Sequence, residues 1–250
     1  MTAPWFRGAK PHVSIREGRV NEALFEAKLG DAIRGEGPTE YREAEAFFQK
    51  TYLTAGLRQL LLDILRTLNG EKVANAVVNL KTSFGGGKTH TELAVFHLLQ
   101  HPSESMTVQQ VGELVAEAGL AAPPPCRVAV LPCTNINPTG RTTPEGLRIR
   151  TLWGEMAYRL GGEAAFQTVA STDAQLVSPG EDALRAVLAQ VGPALILFDE
   201  TLHYVDKVSR IDGPEGDLGK QTIAFLRELT AAVDGTERTM LVVSLTASGA

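Results

Sequence analysis

Apolar residues recur at three- and four-residue intervals between residues 51 and 70, which is the spacing of one face of an α-helix. The side chains on that face are Leu57, Leu60, Leu61, Ile64, Leu65 and Leu68. Asn69-Gly70 then supplies a helix end. The charge-rich residues before them predict short helices broken at Gly35–Pro38. We therefore expect an N-terminal helical extension over residues 1–70 and a core over residues 71–250.

The rest of the chain alternates between two kinds of apolar pattern. Compact apolar runs predict buried strands at residues 73–80, 126–133, 194–198 and 240–245. Amphipathic segments between them predict helices, one of which opens with a capping-box pattern from Thr107 to Gln110. Strands that alternate with helices form a parallel sheet covered on both faces. The predicted fold class is α/β, a three-layer sandwich with a mainly parallel sheet.

Composition and charge narrow the class of protein. Of the 250 residues, 44% are hydrophobic and 21% charged, as in globular chains, and a net charge of −5 argues against a surface built wholly around nucleic acid. We expect no membrane span and no secretory signal, hence a cytoplasmic protein, because no apolar run is long enough. The odd spacing of Cys126 and Cys133 would point them to opposite faces of one strand, which predicts two reduced core cysteines.

A glycine-rich segment, "TSFGGGKTH", follows the first predicted strand and precedes a predicted helix. Gly87, Lys88 and Thr89 match the end of the phosphate-loop pattern G-x-x-x-x-G-K-[ST]. In that pattern backbone N–H groups surround a phosphate, the lysine reaches the β- and γ-phosphates, and the hydroxyl binds Mg²⁺. Thr82 stands where the pattern has its first glycine, and a flexible turn is the alternative interpretation. The predicted nucleotide-binding residues are Ser83, Phe84, Gly85, Gly86, Gly87, Lys88, Thr89 and His90.

The third predicted strand ends in two acids, Asp199 and Glu200, at the sheet edge where ligands gather in open α/β folds. This is the form of a Walker B strand, in which Asp199 would bind Mg²⁺ and Glu200 would activate water for hydrolysis. The alternative is that the acid pair caps the next helix. That alternative explains one motif but not both, so we expect nucleotide binding. The chain has no Asn-Lys-x-Asp of guanine-specific proteins, which favours ATP.

Two hydroxyl residues, Ser244 and Thr246, end the last predicted strand. We expect that strand to lie between the loop strand and the Walker B strand, where a hydroxyl can sense the γ-phosphate. Thr246 is the predicted catalytic sensor beside Glu200 and Lys88, and an ordinary hydroxyl at a strand end is the alternative.

For other polar residues near these motifs we expect no catalytic, metal-binding or phosphate-binding role. We expect His90 and His203 to be solvated or capping side chains, and His97 and His101 to be surface residues without a third metal ligand. The segment 219–222, Gly-Lys-Gln-Thr, imitates a phosphate loop, but no strand precedes it, so it predicts a helix start.

Three arginines, Arg141, Arg148 and Arg150, follow the second predicted strand. Arginines on that rim of the sheet can contact DNA phosphates or the nucleotide of a neighbouring subunit. Basic clusters are more often solvated loops, and that is our expectation here.

Taken together, these motifs resemble those of AAA+-type ATPases of the additional-strand class. More narrowly, "YREAEAFFQKTYLTAGLRQLLLDIL", "FGGGKTHTELAVFHL" and "RTLWGEMAYRLGG" resemble a bacterial family of large ATPases labelled as domains of unknown function. Members are often encoded beside DNA methyltransferases and helicases in anti-phage islands. The resemblance implies ATP and Mg²⁺ as cofactors, Lys88 and Thr89 as ligands of the nucleotide and metal, and Asp199-Glu200 as Walker B acids. It also implies a homo-oligomer, with DNA and a methyltransferase or helicase as partners.

The sequence departs from that class in two places. The stretch between Lys88 and Asp199 is long for a compact AAA+ core, which predicts an insertion. The sequence ends after the fourth strand, before any fifth strand, arginine finger or lid, so we expect the N-terminal part of a longer protein or a truncation. We therefore expect nucleotide binding to be more robust than hydrolysis, with a non-hydrolysing scaffold and a DNA-translocating motor as alternatives.

Overall fold

The computed structural model describes residues 27–72, 75–80 and 87–244. It begins with the helices α1 (Leu29–Ile33), α2 (Thr39–Arg42), α3 (Ala44–Lys50) and α4 (Ala55–Asn69). The Thr54 hydroxyl accepts a hydrogen bond from the Leu57 N–H at the start of α4, and left-handed Gly70 ends it. All six side chains of the predicted apolar face are buried, which confirms the helix.

The remaining described residues form strands and helices in alternation. The first half contains β1 (Val77–Leu80), α5 (Lys88–Gln100), α6 (Pro102–Ser105), α7 (Gln109–Glu117), β2 (Arg127–Pro132), β3 (Arg141–Thr142), β4 (Arg148–Ile149) and α8 (Leu152–Gln167). The second half contains α9 (Ala170–Gln175), α10 (Glu181–Val191), β5 (Ala194–Asp199), α11 (Thr201–Val208), β6 (Asp212–Gly213), β7 (Gly216–Asp217), α12 (Leu218–Asp234) and β8 (Thr239–Ser244).

The central sheet has the order β1-β8-β5-β2, and its neighbouring strands are all parallel. The last strand therefore lies between the first strand and the strand that carries Asp199, as the sequence predicts. Leu80 lies opposite Ser244, and Pro132 lies opposite Asp199. The carboxyl ends of all four strands consequently meet at one edge of the sheet, which confirms an α/β fold with a parallel sheet.

Two apolar layers cover the two faces of this sheet. Side chains alternate along β5, so that Ile196 and Phe198 contact the layer containing α8, α10 and α12. Leu195 and Leu197 contact the opposite layer, to which α4 of the extension contributes together with α5 and α7. The extension thus supplies part of the hydrophobic core that covers the sheet. The division at residue 70 stays a prediction.

The helix α7 does not begin as predicted. The Thr107 hydroxyl donates to Glu104 O at 2.7 Å, and Gln110 donates to Phe48 O and Thr51 O, so the predicted capping box is wrong. The hairpin β3–β4 lies between β2 and α8. Helix α8 is interrupted by a kink at Gly161 and Gly162. Within the described residues, no helix is both long and apolar enough to cross a membrane.

Candidate functional site

The strand β5 ends at Asp199, and Glu200 begins the turn into α11. Glu200 has a left-handed backbone, with φ 51° and ψ 47°, which is strained for a residue other than glycine, asparagine or aspartate. It occupies the N-cap position of α11, yet its side chain makes no capping hydrogen bond. The alternative of a simple helix cap therefore does not explain Glu200.

The carboxylate of Asp199 is held from the neighbouring strand β8. The Ser244 hydroxyl donates to Asp199 Oδ1 at 3.1 Å, and the Glu200 N–H points to the same hydroxyl at 3.5 Å. The Thr201 hydroxyl in turn donates to the Ser244 carbonyl oxygen at 3.3 Å. Ser244 is thus the strand-end hydroxyl that contacts the acids, and Thr246, the predicted sensor, lies outside the described residues.

The helix α5 begins at Lys88, directly after the glycine-rich segment. Gly87 has φ 77°, a left-handed conformation that glycine adopts without strain, and it occupies the N-cap position. The predicted ligands Lys88 and Thr89 therefore lie in the first turn of the helix, where free backbone N–H groups favour anions. Ser83, Phe84, Gly85 and Gly86 lie outside the described residues.

Electrostatics link the two motifs. Burial raises the pKa of Asp199, as does the negative charge of Glu200, while the Ser244 hydroxyl and the positive charge of Lys88 act in the opposite direction. Lys88 at the start of α5 and Asp199 at the end of β5 both lie at the carboxyl edge of the parallel sheet, although they are far apart in sequence.

Sequence reasoning missed a third acid in this site, Glu92. Its side chain is fully buried, and neither carboxyl oxygen receives a hydrogen bond of good geometry from the described part of the chain. Burial, followed by the charge of Asp199, raises the pKa of Glu92 to about 9. The available signal was its position four residues after Lys88, on the same helix face, within an otherwise apolar segment.

The side chain of His90 is half-buried. Its Nε2 lies 2.9 Å from the Thr51 hydroxyl, and its ring packs on Phe47 at a centroid distance of 4.6 Å. Because the Thr51 hydroxyl already donates to Phe47 O, we assign His90 Nε2 as the donor to it. The expectation of a solvated or capping side chain is wrong, and His90 instead joins the loop helix to the extension.

Other polar residues for which we expected no chemical role also contact the rest of the protein. His97 is fully buried, with Nε2 2.8 Å from Tyr41 O, so its prediction as a surface residue is wrong. Arg141 donates to the buried Glu155 at 2.8 and 3.2 Å and is not a solvated loop residue. The predicted helix start at Gly219–Thr222 is confirmed, since the Asp217 carboxylate caps α12.

The donor set at this site fits Mg²⁺. This ion prefers oxygen ligands and usually combines one or two carboxylates with phosphate and water. Asp199 supplies a carboxylate, the Thr89 hydroxyl makes no hydrogen bond to the described residues, and the unpartnered oxygens of Glu92 lie beside Asp199. No cluster of three or more His, Cys, Asp or Glu side chains that could hold a metal ion occurs in residues 27–72, 75–80 or 87–244.

Comparison with known proteins gives one match. The family model "DUF499 N-terminal domain" matches residues 9–249, which is nearly the whole chain. No curated protein and no solved structure matches this protein. The chain therefore belongs to the DUF499 family, of which it represents the N-terminal domain.

Proposed function

We propose that this domain binds Mg-ATP at the carboxyl edge of the sheet, as a P-loop domain of the additional-strand class. One observation carries the proposal: Lys88 at the start of α5 and Asp199 at the end of β5 both lie at the carboxyl edge of the parallel sheet β1-β8-β5-β2. A glycine-rich turn or a capping acid pair alone would not require the two motifs to meet. The parallel sheet and the left-handed Gly87 support the same interpretation.

Each site residue has a distinct task in this proposal. Lys88 neutralises phosphate charge, and the N–H groups at the start of α5 bind phosphate oxygens. Thr89 and Asp199 hold Mg²⁺, whose chemistry is to neutralise charge on the transferred phosphoryl group. Glu200 orients and deprotonates the attacking water, while Ser244 fixes the Asp199 carboxylate.

For the complete protein, we propose that ATP hydrolysis drives remodelling in a DNA-modification or anti-phage assembly. This step rests on the family resemblance of the quoted motifs, which also suggests a homo-oligomer and a DNA methyltransferase or helicase as partner. Turnover stimulated by DNA would distinguish a translocating motor from a remodelling ATPase.

A second candidate is a scaffold that binds ATP without hydrolysis. It is favoured by the contact of His90 with Thr51, which joins the first turn of the loop helix to the extension. Nucleotide bound there would order this contact and present the extension to a partner. Measured turnover separates the two candidates.

The test is calorimetric titration of Mg-ATP into the wild-type chain and the Lys88→Ala variant. We expect saturable binding that is lost, or weakened at least tenfold, in Lys88→Ala, because a charge-assisted contact to phosphate disappears. Lys220→Ala is the matched control, since Lys220 lies in the imitating Gly-Lys-Gln-Thr segment and pairs with Asp217. Equal binding by all three chains, or by none, would refute the proposal.

Hydrolysis is measured separately by phosphate release. We expect Glu200→Gln to keep Mg-ATP binding and to reduce turnover at least a hundredfold, because water activation is lost while the charge-neutral amide keeps the shape of the carboxylate. Binding without turnover in the wild-type chain would favour the scaffold.

A further inference from the structure

A cavity, here called the edge cavity, opens at the carboxyl end of β2. It has a volume of about 250 Å³ and lies between α1 of the extension, the hairpin β3–β4 and the helix α8. Its wall includes Gly30, Pro132, Arg141 and Tyr204. Because β1 and β2 are three strand spacings apart, roughly 14 Å, the edge cavity is separate from the carboxyl end of β1.

One buried acid on the wall is shared by two arginines. Glu155 accepts hydrogen bonds from Arg141 Nε at 2.8 Å and from Arg159 Nε at 2.7 Å. The two guanidinium groups hold the pKa of Glu155 below its usual range, against the opposing effect of burial. The single negative charge of Glu155 therefore neutralises only one of the two guanidinium groups. One positive charge of this group of three residues remains.

Two further arginines line the edge cavity. Arg34 is balanced by Asp31 and Glu36, with which it forms ion pairs. Arg150 forms no ion pair with any described residue, and its guanidinium has only a long contact of 3.5 Å to Ala174 O. Asp173 lies behind Arg150, but its carboxylate accepts from the Arg150 and Thr151 N–H groups and the Thr151 hydroxyl. Arg150 is therefore the available cation on the wall.

One residue of the wall, Tyr204, carries a buried polar atom without a partner. Tyr204 is fully buried, and its hydroxyl has no hydrogen-bond partner within the described ranges. Leaving such a group unpaired is costly, so native structures usually supply a partner for it. A bound ligand with acceptor oxygens would supply one.

We propose that the edge cavity binds a small phosphomonoester. A phosphate group offers three acceptor oxygens, which suits donors spread over several elements, and guanidinium groups match it geometrically. The apolar side chains of Ile33, Ile136 and Ile149 would contact the body of the ligand. Pockets for drug-sized ligands measure about 300–1,000 Å³, so the occupant is a compact molecule of sugar-phosphate size.

The position of the edge cavity gives the ligand a structural consequence. Gly30 approaches Asn135 so closely that an added Cβ would lie 3.0 Å from Asn135 Oδ1. Pro132, on the wall, pairs with Asp199 of the neighbouring strand. A phosphomonoester there would join the extension to the sheet edge that carries the acids. The inference does not depend on the proposed ATP site.

The experiment uses ribose 5-phosphate as the probe, titrated calorimetrically into the full chain, with ribose as the uncharged comparison. We expect binding of ribose 5-phosphate but not of ribose. Arg150→Gln should weaken it at least tenfold, because a charge-assisted contact is lost. Arg148→Gln is the matched control, since Arg148 is an exposed arginine of the same hairpin that does not line the cavity. Tyr204→Phe, which removes only the hydroxyl, should weaken binding several-fold.

Two further titrations show where ribose 5-phosphate binds and whether its phosphate group is required. Lys88→Ala should bind ribose 5-phosphate as the wild type does, which excludes the phosphate loop as the binding site. Succinate should bind more weakly than ribose 5-phosphate, because its carboxylates offer fewer oxygens at one centre. Absence of binding, an equal effect of Arg148→Gln and Arg150→Gln, loss in Lys88→Ala, or tighter binding of succinate would each overturn the proposal.

Discussion

At the scale of single residues, the backbone of Glu200 indicates a conflict between stability and function. Its left-handed conformation costs a residue with a Cβ about 1–2 kcal/mol, whereas asparagine adopts it with less strain. The structure retains a glutamate there without giving its side chain a capping role. Strain of this kind is concentrated at functional sites.

The first prediction follows from that strain. We expect Glu200→Asn to raise the free energy of unfolding by about 0.5–1 kcal/mol and to abolish ATP turnover. Glu200→Gln is the control, because it removes the carboxylate but keeps the strained backbone, and it should reduce turnover at least a hundredfold without a gain in stability. Chemical denaturation and phosphate release measure the two effects. A stability gain of equal size in both variants would contradict the role of backbone strain.

A second residue, His97, makes stability depend on pH. Its Nδ1 is buried without a described partner, and burial lowers the pKa of His97 to about 4. The hydrogen bond to Tyr41 O and the charge of Glu104 oppose this shift, and His101 adds to it. In the unfolded chain the pKa returns to about 6.5, so between pH 6.5 and 4 the unfolded state binds more protons. The free energy of unfolding must therefore fall as the pH falls through that range.

The prediction is a comparison of acid sensitivities. We expect His97→Gln to lose less stability than the wild type between pH 6.5 and 4.5, because the proton-binding difference at His97 is removed. Urea unfolding at several pH values measures this difference. His203→Gln, at an exposed position on α11, is the control and should keep the wild-type slope. Parallel slopes for wild type and His97→Gln would show that His97 is not the responsible group.

At the scale of elements, the kink in α8 depends on two glycines. An added Cβ at Gly161 would lie 2.8 Å from Val191 Cγ1 of α10, and Gly162 has φ 65° and ψ −151°, a region reserved for glycine. We expect Gly162→Ala to lower the free energy of unfolding by about 1–3 kcal/mol. Gly112 lies inside α7 with open space around it, so Gly112→Ala should raise that energy by about 0.5–1 kcal/mol. Thermal unfolding of both variants tests the contrast, and a loss in both would contradict it.

Helices and strands that are determined by residues within them or next to them could be predicted from the sequence. The helix α4 was predictable because its apolar face lies within it and Gly70 directly follows it. The position of the last strand between β1 and β5 was expected from the phosphate-loop and Walker B patterns taken together, and the structure has it there. Features that depend on residues far away in the sequence were not predictable. Gln110 donates hydrogen bonds to the carbonyl oxygens of Phe48 and Thr51 instead of capping its own helix. Glu92 was missed because only the fold brings it beside Asp199.

At the scale of the whole molecule, the extension and the sheet share one apolar layer. Leu61 and Leu65 of α4 belong to the same buried cluster as Val95 of α5 and Leu197 of β5. The opposite layer contains Trp153, which reports on the other face of the sheet. A sheet that is covered on both faces loses support when either layer is removed. The extension should therefore unfold together with the core.

The last prediction tests this cooperativity with Leu65→Ala. Leu65 is fully buried, so its truncation should lower the free energy of unfolding by about 2–5 kcal/mol. In a Trp5→Phe background, fluorescence of Trp153 reports on the far layer, while circular dichroism reports on all helices. Both signals should shift to the same lower denaturant midpoint, because the extension and both layers unfold as one unit. Leu202→Ala, at a 44% exposed position, is the control and should change little. An unchanged Trp153 transition in Leu65→Ala would mean that residues 1–70 unfold independently of the sheet.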